Sequence, residues 1–268
     1  MEITFWGVRG STPVNGPEFI EVGGHTSCVS IYTAAKELYI FDGGSGLLNL
    51  GNWMREEGLM RAKLFFSHLH LDHIIGLPFF TPIWTPNFQL ELFSSHFDLK
   101  DFFSKHLFHH PIFPVEFHEL QALIHQRPLV PGEALHFGED RMSMIALSHP
   151  GGSIGYRLDT PEGSFAYMTD TECDGDVIEP KQKEFLEGVD LMVYDTTFFP
   201  HEYEKKRGWG HSTHQQAAHL AKAAGVKQLA LFHHDPSHTD IIVAQAVLEA
   251  QEIFPSTIAA TQGLKIKV

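Results

Sequence analysis

The segment that most constrains this chain crowds histidine and aspartate together directly after a buried strand. Apolar residues at 62–66 predict the strand, and the turn that leaves it can aim alternate side chains at one place. Three imidazoles and one carboxylate follow within six residues, at His68, His70, Asp72 and His73. Nitrogen and oxygen donors of this kind suit divalent metals such as Zn²⁺. The spacing therefore predicts a site for two neighbouring metal ions.

Two other interpretations of this segment need no reaction. An amphipathic strand end could present the same side chains to water, and a buffer site could bind nickel or zinc without catalysis. The chain as a whole is rich in histidine, with 19 residues against 19 lysines and arginines combined. Because neutral imidazole is the commonest metal ligand, this excess favours metal binding, although surplus histidines can also lie on the surface.

Charge and cysteine content exclude several classes of protein. The formal net charge of −14 argues against a dedicated binder of duplex DNA or anionic membranes. Cys28 and Cys173 are too few for a disulfide scaffold or a thiolate zinc finger, which favours a reduced compartment. Residues 1–7 lack a signal-peptide pattern, and no run reaches the roughly 18 apolar residues of a membrane span. We therefore expect a cytoplasmic protein with no membrane partner.

Strand and helix patterns alternate along the chain without a low-complexity linker. Strands are predicted at 2–6, 27–33, 37–42, 62–66, 89–93, 141–147, 153–158, 164–169, 190–195 and 227–232, with a closing β run at 257–268. Helices are predicted from Leu47, after Ser212 or Thr213 and from Asp240, with shorter ones near 97–107 and 181–186. The pattern predicts a single domain, residues 1–268, of stacked sheets covered by helices.

The motif after the strand resembles the His-x-His-x-Asp-His signature of the metallo-β-lactamase superfamily of dinuclear metallohydrolases. That family places a further histidine after a later strand, a bridging aspartate after another, and a last histidine near the C terminus. The matching positions here are His149, Asp170 and His233. The spacing leaves His234 as an alternative to His233. The resemblance implies an α/β fold, a four-layer αββα sandwich with the metals at one edge of the inner sheets.

The resemblance also implies how the ligands divide between the metals. One ion would be held by His68, His70 and His149, the other by Asp72, His73 and His233, with Asp170 and a hydroxide bridging them. The cofactors would be two divalent ions, zinc first, with manganese or iron accepted by the same ligands. Asp42 matches a carboxylate that orients a metal-binding imidazole, although the glycines at 43–46 also fit a plain tight turn.

Two further elements resemble ribonuclease Z and related phosphodiesterases of that superfamily. They are Asp195 with Thr196, Thr197 and Phe198, and His211 with Ser212 and Thr213. In those enzymes a carboxylate and a histidine form a proton-donating pair, a role that falls here to Asp195 and His211. Ribonuclease Z usually has Glu where this chain has Asp195. Without the resemblance, both residues would be interpreted as local caps at a strand end and a helix start.

These features predict a metal-dependent hydrolase. Two ions would make the pocket positive despite the net charge, which favours an anionic substrate and hydrolysis of a phosphodiester by a metal-bridging hydroxide. Because no long basic, Gly-rich insertion is recognised, cyclic nucleotides or other small phosphodiesters are the first expectation. The alternatives are tRNA 3′-processing, thioester or lactone hydrolysis, and metal binding without catalysis.

Two stretches suggest partners. The basic residues at 205–207 with Trp209 could hold an RNA backbone and stack a base, or form a solvated loop. The Phe- and His-rich stretch at 102–118 could be a lid, a homodimer contact or packed core.

Overall fold

The computed structural model describes residues 1–95, 98–130, 132–173 and 178–268. The strands are β1 (Glu2–Gly7), β2 (Cys28–Tyr32), β3 (Leu38–Phe41), β4 (Arg61–Phe65), β5 (Gln89–Ser94), β6 (Leu123–Pro128), β7 (Ala134–Phe137), β8 (Asp140–Leu147), β9 (Ser153–Thr160), β10 (Gly163–Met168), β11 (Leu191–Asp195), β12 (Gln228–Phe232), β13 (Thr257–Ala259) and β14 (Lys265–Lys267). The α-helices are α1 (Leu47–Glu56), α2 (Leu71–Ile74), α3 (Leu99–His106), α4 (Pro180–Phe185), α5 (Pro200–Tyr203), α6 (His214–Ala224) and α7 (Asp240–Ile253).

These strands form two sheets of seven strands each within the described ranges. The first has the order β14-β1-β2-β3-β4-β5-β6, and the second β13-β12-β11-β10-β9-β8-β7. In the first sheet β1 to β3 form an antiparallel meander and β3 to β6 are parallel. In the second sheet β7 to β10 are antiparallel and β10 to β13 are parallel.

The inner strands of each sheet are buried on both faces, which is why many strands read as continuous apolar runs rather than alternating ones. Along β3, Tyr39 packs into the core between the sheets while Ile40 packs with residues of α1. Along β11, Val193 lies in the same central core while Met192 packs with residues of α6 and α7. The layers are therefore helix, sheet, sheet, helix, which confirms the four-layer αββα prediction.

Parallel strands bring their carboxyl ends to the same edge of a sheet. This applies to β3 and β4 in the first sheet and to β10, β11 and β12 in the second. β8 runs in the same direction as β10, because two antiparallel pairings separate them. The side chains that end or follow these strands include Asp42, His68, His149, Asp170, Asp195 and His233.

The C-terminal β run is the clearest correction to the sequence prediction. It divides into two strands that join different sheets: β13 pairs with β12 and β14 with β1. The prediction also missed β6 and β7, whose residues are all exposed or half-buried and so give no apolar run. The helix predicted near 97–107 is α3, and its predicted first residue, Phe97, lies outside the described residues.

The Phe-rich stretch contributes mainly to packed core. Phe103, Phe108 and Phe117 are buried in the cluster beneath α1 and α3. Ile112 in the same stretch is 64% exposed, so only part of it faces solvent. Among the described residues, no helix combines the length and apolarity that crossing a membrane requires.

Candidate metal centre

Seven side chains that the sequence singles out as metal ligands meet where the strands end. They form two donor groups: the first donor group is His68, His70 and His149, and the second donor group is Asp72, His73 and His233, with Asp170 between them. Three of the seven stand directly after β8, β10 and β12 or one residue further, so the second sheet fixes their spacing. The others lie on the turn after β4 and on α2.

The first donor group is close-packed. Nε2 of His149 lies 3.1 Å from Nδ1 of His70. Nε2 of His68 and Nε2 of His149 each lie 3.7 Å from Oδ1 of Asp170. The ligand atoms of these four residues all fall within 4.8 Å of one another, a spacing that could hold one metal ion.

The second donor group faces the other oxygen of the same aspartate. Oδ2 of Asp170 lies 3.2 Å from Nε2 of His73 and 3.3 Å from Nε2 of His233. Oδ2 of Asp72 lies 3.3 Å from each of those two nitrogens. The two oxygens of Asp170 therefore point to different donor groups, an arrangement suited to bridging.

Hydrogen bonds on the far side of the rings fix which nitrogen faces the centre. Nδ1 of His73 bonds Oδ2 of Asp42 at 2.8 Å, and Nδ1 of His149 bonds the carbonyl of Gly210 at 2.9 Å. Nδ1 of His68 bonds Oγ of Ser67, and Nδ1 of His233 bonds Oγ1 of Thr197, both at 3.0 Å. A carboxylate and a carbonyl can only accept, so His73 and His149 carry their hydrogen on Nδ1. Nε2 is then the nitrogen that faces the centre, and it is the nitrogen available to bind a metal.

Asp42 accepts more of these supporting hydrogen bonds than one histidine alone provides. Besides the imidazole of His73, its carboxylate accepts the hydroxyl of Tyr167 at 2.9 Å and both the N–H and hydroxyl of Ser67 at 2.7 Å. The residue is fully buried, and its φ of 60° lies in the left-handed region. The geometry agrees with the orienting role expected of Asp42, whereas a plain turn would not require a buried carboxylate.

The donor set fits a divalent cation. Nε2 of His68 and Nε2 of His73 are buried and have no aligned hydrogen-bond partner among the described residues. A buried polar atom without a partner lowers the stability of the fold by about 1–3 kcal/mol. A metal ion bound by these nitrogens would supply the missing partner. Imidazole nitrogens with two carboxylates are the donors that zinc and similar borderline metals accept.

Electrostatics act differently on the groups of the site. Burial opposes the charged form of His73, but the carboxylates of Asp72, Asp170 and Asp42 hold its pKa well above the usual value, so a metal ion would replace a proton there. Burial lowers the pKa of His68 well below its usual value, so this imidazole is neutral. Burial opposes ionisation of Asp72 and Asp170, but the surrounding imidazoles hold the pKa of both carboxyls low. The site therefore offers a neutral ring and two ionised carboxylates at neutral pH.

A second pair of side chains stands at the edge of both donor groups. Nδ1 of His211 donates to Oδ2 of Asp195 at 2.7 Å, and its ring lies 5.0 Å from that of His233 and 5.3 Å from that of His149. Burial opposes the charged form, but the carboxylate of Asp195 raises the pKa of His211 to about 9. An imidazole that holds a proton at neutral pH therefore borders the candidate metal centre.

The structure separates His233 from its neighbour His234. His233 joins the second donor group, whereas Nε2 of His234 lies 3.1 Å from the carbonyl of Ala260. Burial lowers the pKa of His234 to about 3, so it is a neutral core residue. The geometry thus favours His233 as the residue that completes the site.

Sequence reasoning missed several residues that shape the site. Ser67, Thr197 and Gly210 bond the histidines, and Gly10 packs so closely that a Cβ there would lie 2.4 Å from the ring of His233. Ser67 and Thr197 each stand two residues beyond the end of a strand, close in sequence to the predicted site residues His68 and Asp195, and this position was the available signal. Gly10 stands far from the other site residues along the chain and gave none.

A cavity of about 430 Å³ opens beside the first donor group. One wall is formed by His68, His70 and the turn at 150–152, and the other by α3 with Phe102, Lys105 and His106. A group bound to the candidate centre therefore has a partly open cavity next to it.

Comparison with known proteins agrees with this geometry. A family model described as a β-lactamase superfamily domain matches residues 54–234. The chain belongs to this superfamily. It is 26% identical to ribonuclease Z of Porphyromonas gingivalis, over 90% of this chain and 93% of that protein. As a superfamily member it is a metal-dependent hydrolase.

Solved structures of the superfamily share the fold. The metallo-β-lactamase fold protein YhfI of Bacillus subtilis superposes with a TM-score of 0.77 at 19% identity, covering 100% of this chain and 98% of that one. A diphosphatase of the PhnP family superposes with a TM-score of 0.69 at 20% identity, covering 100% and 97%. At these identities the likeness concerns the fold.

We predict that Asp42→Asn weakens zinc binding by about 10- to 100-fold, because His73 loses the carboxylate that fixes its ring. Zinc affinity is measured by competition with a chelator. Asp140→Asn is the matched control, since Asp140 is also a buried carboxylate that accepts a tyrosine hydroxyl, from Tyr39, but lies at the other end of β8. Equal zinc affinity in the two variants would remove Asp42 from the centre.

Proposed function

We propose that this protein is a dinuclear metal-dependent phosphodiesterase that acts on cyclic nucleotides or other small phosphodiesters. The observation that carries the proposal is the Asp195–His211 pair at the edge of two donor groups that share Asp170. Hydrolysis of a phosphodiester needs both a site for charge stabilisation and a source of the proton for the leaving oxygen. The arrangement supplies a candidate for each.

The first donor group would hold one divalent ion, the second donor group the other, and Asp170 would contact both. When bound, the ions would supply Lewis-acid charge and an activated water molecule. The surrounding residues orient the ligands. Hydrogen bonds to Nδ1 of His73, His149 and His233 hold these rings in place before substrate arrives. Zinc is the first expectation for both ions, and manganese or iron fits the same donors.

His211 would deliver the proton. Asp195 holds its Nδ1, so Nε2 is the nitrogen that can donate to a leaving oxygen. Oδ1 of Asp195 in turn accepts the N–H of Thr197 at 3.0 Å, which keeps the carboxylate fixed. The shorter reach of Asp195, compared with the glutamate usual in ribonuclease Z, still makes a 2.7 Å bond to His211.

The size and charge of the surroundings support a small substrate. A volume of about 430 Å³ lies at the lower end of the roughly 300–1,000 Å³ typical of small-ligand pockets. The half-buried ring of Phe102 lies in its wall and could stack a base. The net charge of −14 would repel a long polyanion except at the centre itself.

The second candidate function is cleavage of precursor tRNA. It is favoured by the relatives named ribonuclease Z and by Trp209, which is 61% exposed near His211. The basic residues beside Trp209 weigh against it. Lys206 lies over the ring of Phe198 and 3.6 Å from Asp235, and Arg207 pairs with Glu204.

Three further expectations belong to the same proposal. Residues 1–268 would form one domain, because the C-terminal strand β14 pairs with β1 in the first sheet while β13, just before it, belongs to the second. Two free cysteines, Cys28 and Cys173, support a reducing compartment such as the cytoplasm. A homodimer contact through the exposed part of the Phe-rich stretch stays a prediction.

A substrate panel tests the proposal against its alternatives. Purified protein with zinc or manganese is given a cyclic nucleotide, bis(p-nitrophenyl) phosphate, precursor tRNA and a thioester, and kcat/KM is measured for each. We expect turnover of the first two and little of the others, because the cavity admits one small group. Faster cleavage of precursor tRNA would favour the second candidate, and preference for the thioester would contradict both.

His211→Ala should retain its metals and lose about 10²- to 10⁴-fold in turnover on substrates with an alkoxide leaving group. The loss should be much smaller with p-nitrophenolate, which departs without a proton. His219→Ala is the control, since His219 is exposed on α6. Unchanged turnover of the alkoxide substrate in a metal-loaded His211→Ala protein would remove His211 from the reaction.

A further inference from the structure

The side chain of Glu172 holds the loop that leads to His211 by hydrogen bonds. Its Oε1 accepts the N–H of Gly208 at 2.8 Å, and its Oε2 accepts the N–H of Gly210 at 2.8 Å. The hydroxyl of Tyr203, at the end of α5, lies 3.1 Å from Oε1. One carboxylate therefore holds the loop after α5 at two residues, Gly208 and Gly210.

The backbone of Glu172 is itself anchored to the first donor group. Its N–H donates to the carbonyl of Ser148, the residue before His149, at 2.8 Å. The residue also stands two positions after Asp170. The loop is thus fastened to the chain segments that carry two of the predicted ligands.

Gly210, whose N–H bonds this carboxylate, also begins the next peptide, and that peptide serves two site histidines. The carbonyl of Gly210 accepts Nδ1 of His149 at 2.9 Å, and the next residue is His211, bonded to Asp195. Gly210 has a φ of 87°, and a Cβ there would lie 2.2 Å from Nδ1 of His149. Movement of this peptide would therefore shift His149 and His211 together.

We infer that Glu172 is a positioning residue that sets the orientation of both His149 and His211. The inference rests on the proposed function for His211, and on geometry alone for His149. Neither oxygen of Glu172 bonds any of the seven predicted ligands, so it acts through the loop rather than on the substrate. None of the sequence motifs includes this role.

A carboxylate is required because every partner in the loop is a donor. Glu172 offers two acceptor oxygens, and bonds to an ionised acceptor are roughly twice as strong as neutral ones. Glutamine has the same shape but only one acceptor, and its amide hydrogens would face the N–H groups of the loop. Glu172→Gln therefore releases one end of the loop without changing side-chain size.

The test measures Glu172→Gln by two independent quantities. Zinc affinity should fall about tenfold, since His149 loses the bond that orients its ring. Turnover of the metal-saturated protein should fall by up to about 10²-fold with an alkoxide leaving group and far less with p-nitrophenolate, because only the former needs His211 in place. Glu204→Gln is the matched control in the same loop, since Glu204 pairs with the exposed Arg207.

A double-mutant cycle separates positioning from general loss of structure. If Glu172 acts through His211, adding Glu172→Gln to His211→Ala should cause little further loss with the alkoxide substrate. Glu172→Asp keeps both acceptors and should lie between the wild type and Glu172→Gln in zinc affinity, which also serves if Glu172→Gln does not fold.

Equal losses on both substrates with unchanged zinc affinity would overturn the inference, as would Glu172→Gln behaving like Glu204→Gln. If the wild type hydrolyses no phosphodiester, the proposed function fails. The zinc measurement then still decides whether Glu172 positions His149.

Discussion

The structure depends on Asp170, whose two oxygens face two separate sets of imidazoles within 3.2 to 3.7 Å. Nitrogen lone pairs and carboxylates crowded this way repel one another unless a proton or a metal ion lies between them. The protein holds them together through bonds on the outer side of four of the five rings, from Asp42, Ser67, Thr197 and Gly210. The surrounding fold thus stabilises an arrangement that a divalent metal would complete.

The backbone contributes to the same arrangement. Asp42, Asp170 and His233 have φ values of 60°, 54° and 60°, in the left-handed region that non-glycine residues seldom adopt. All three directly follow a strand or stand one residue beyond it. Such conformations cost about 1–3 kcal/mol each and persist where the surrounding structure enforces them, which is common at functional sites. Turning the chain sharply at the strand ends places these side chains at the edge between the sheets.

Most inner strands and most site residues could be predicted from the sequence. Strands buried on both faces give clear apolar runs, and the ends of these runs mark where polar side chains gather. His149, Asp170 and His233 could be found in this way, once the family resemblance gave their order. The strands β6 and β7 could not be predicted, since these edge strands bury too few side chains to show an apolar pattern. The division of the C-terminal β run between two sheets was equally hidden, because pairing partners are set by tertiary packing.

The supporting residues were hardest to predict. Glu172 and Gly210 act through backbone groups, and a backbone contact leaves no signature in residue type. Gly10 reaches His233 across more than 200 residues of sequence, so only the folded chain reveals why a side chain there would collide with the ring. The choice between His233 and His234 likewise needed the fold, since adjacent residues point in opposite directions at a sharp turn.

The central claim, that these seven side chains hold a pair of metal ions, is tested most directly by metal stoichiometry. Protein purified without chelators, loaded with zinc and dialysed, is analysed for bound metal per chain by mass spectrometry. We predict two divalent ions per chain. One ion or none, after loading with zinc, manganese and iron in turn, would contradict it.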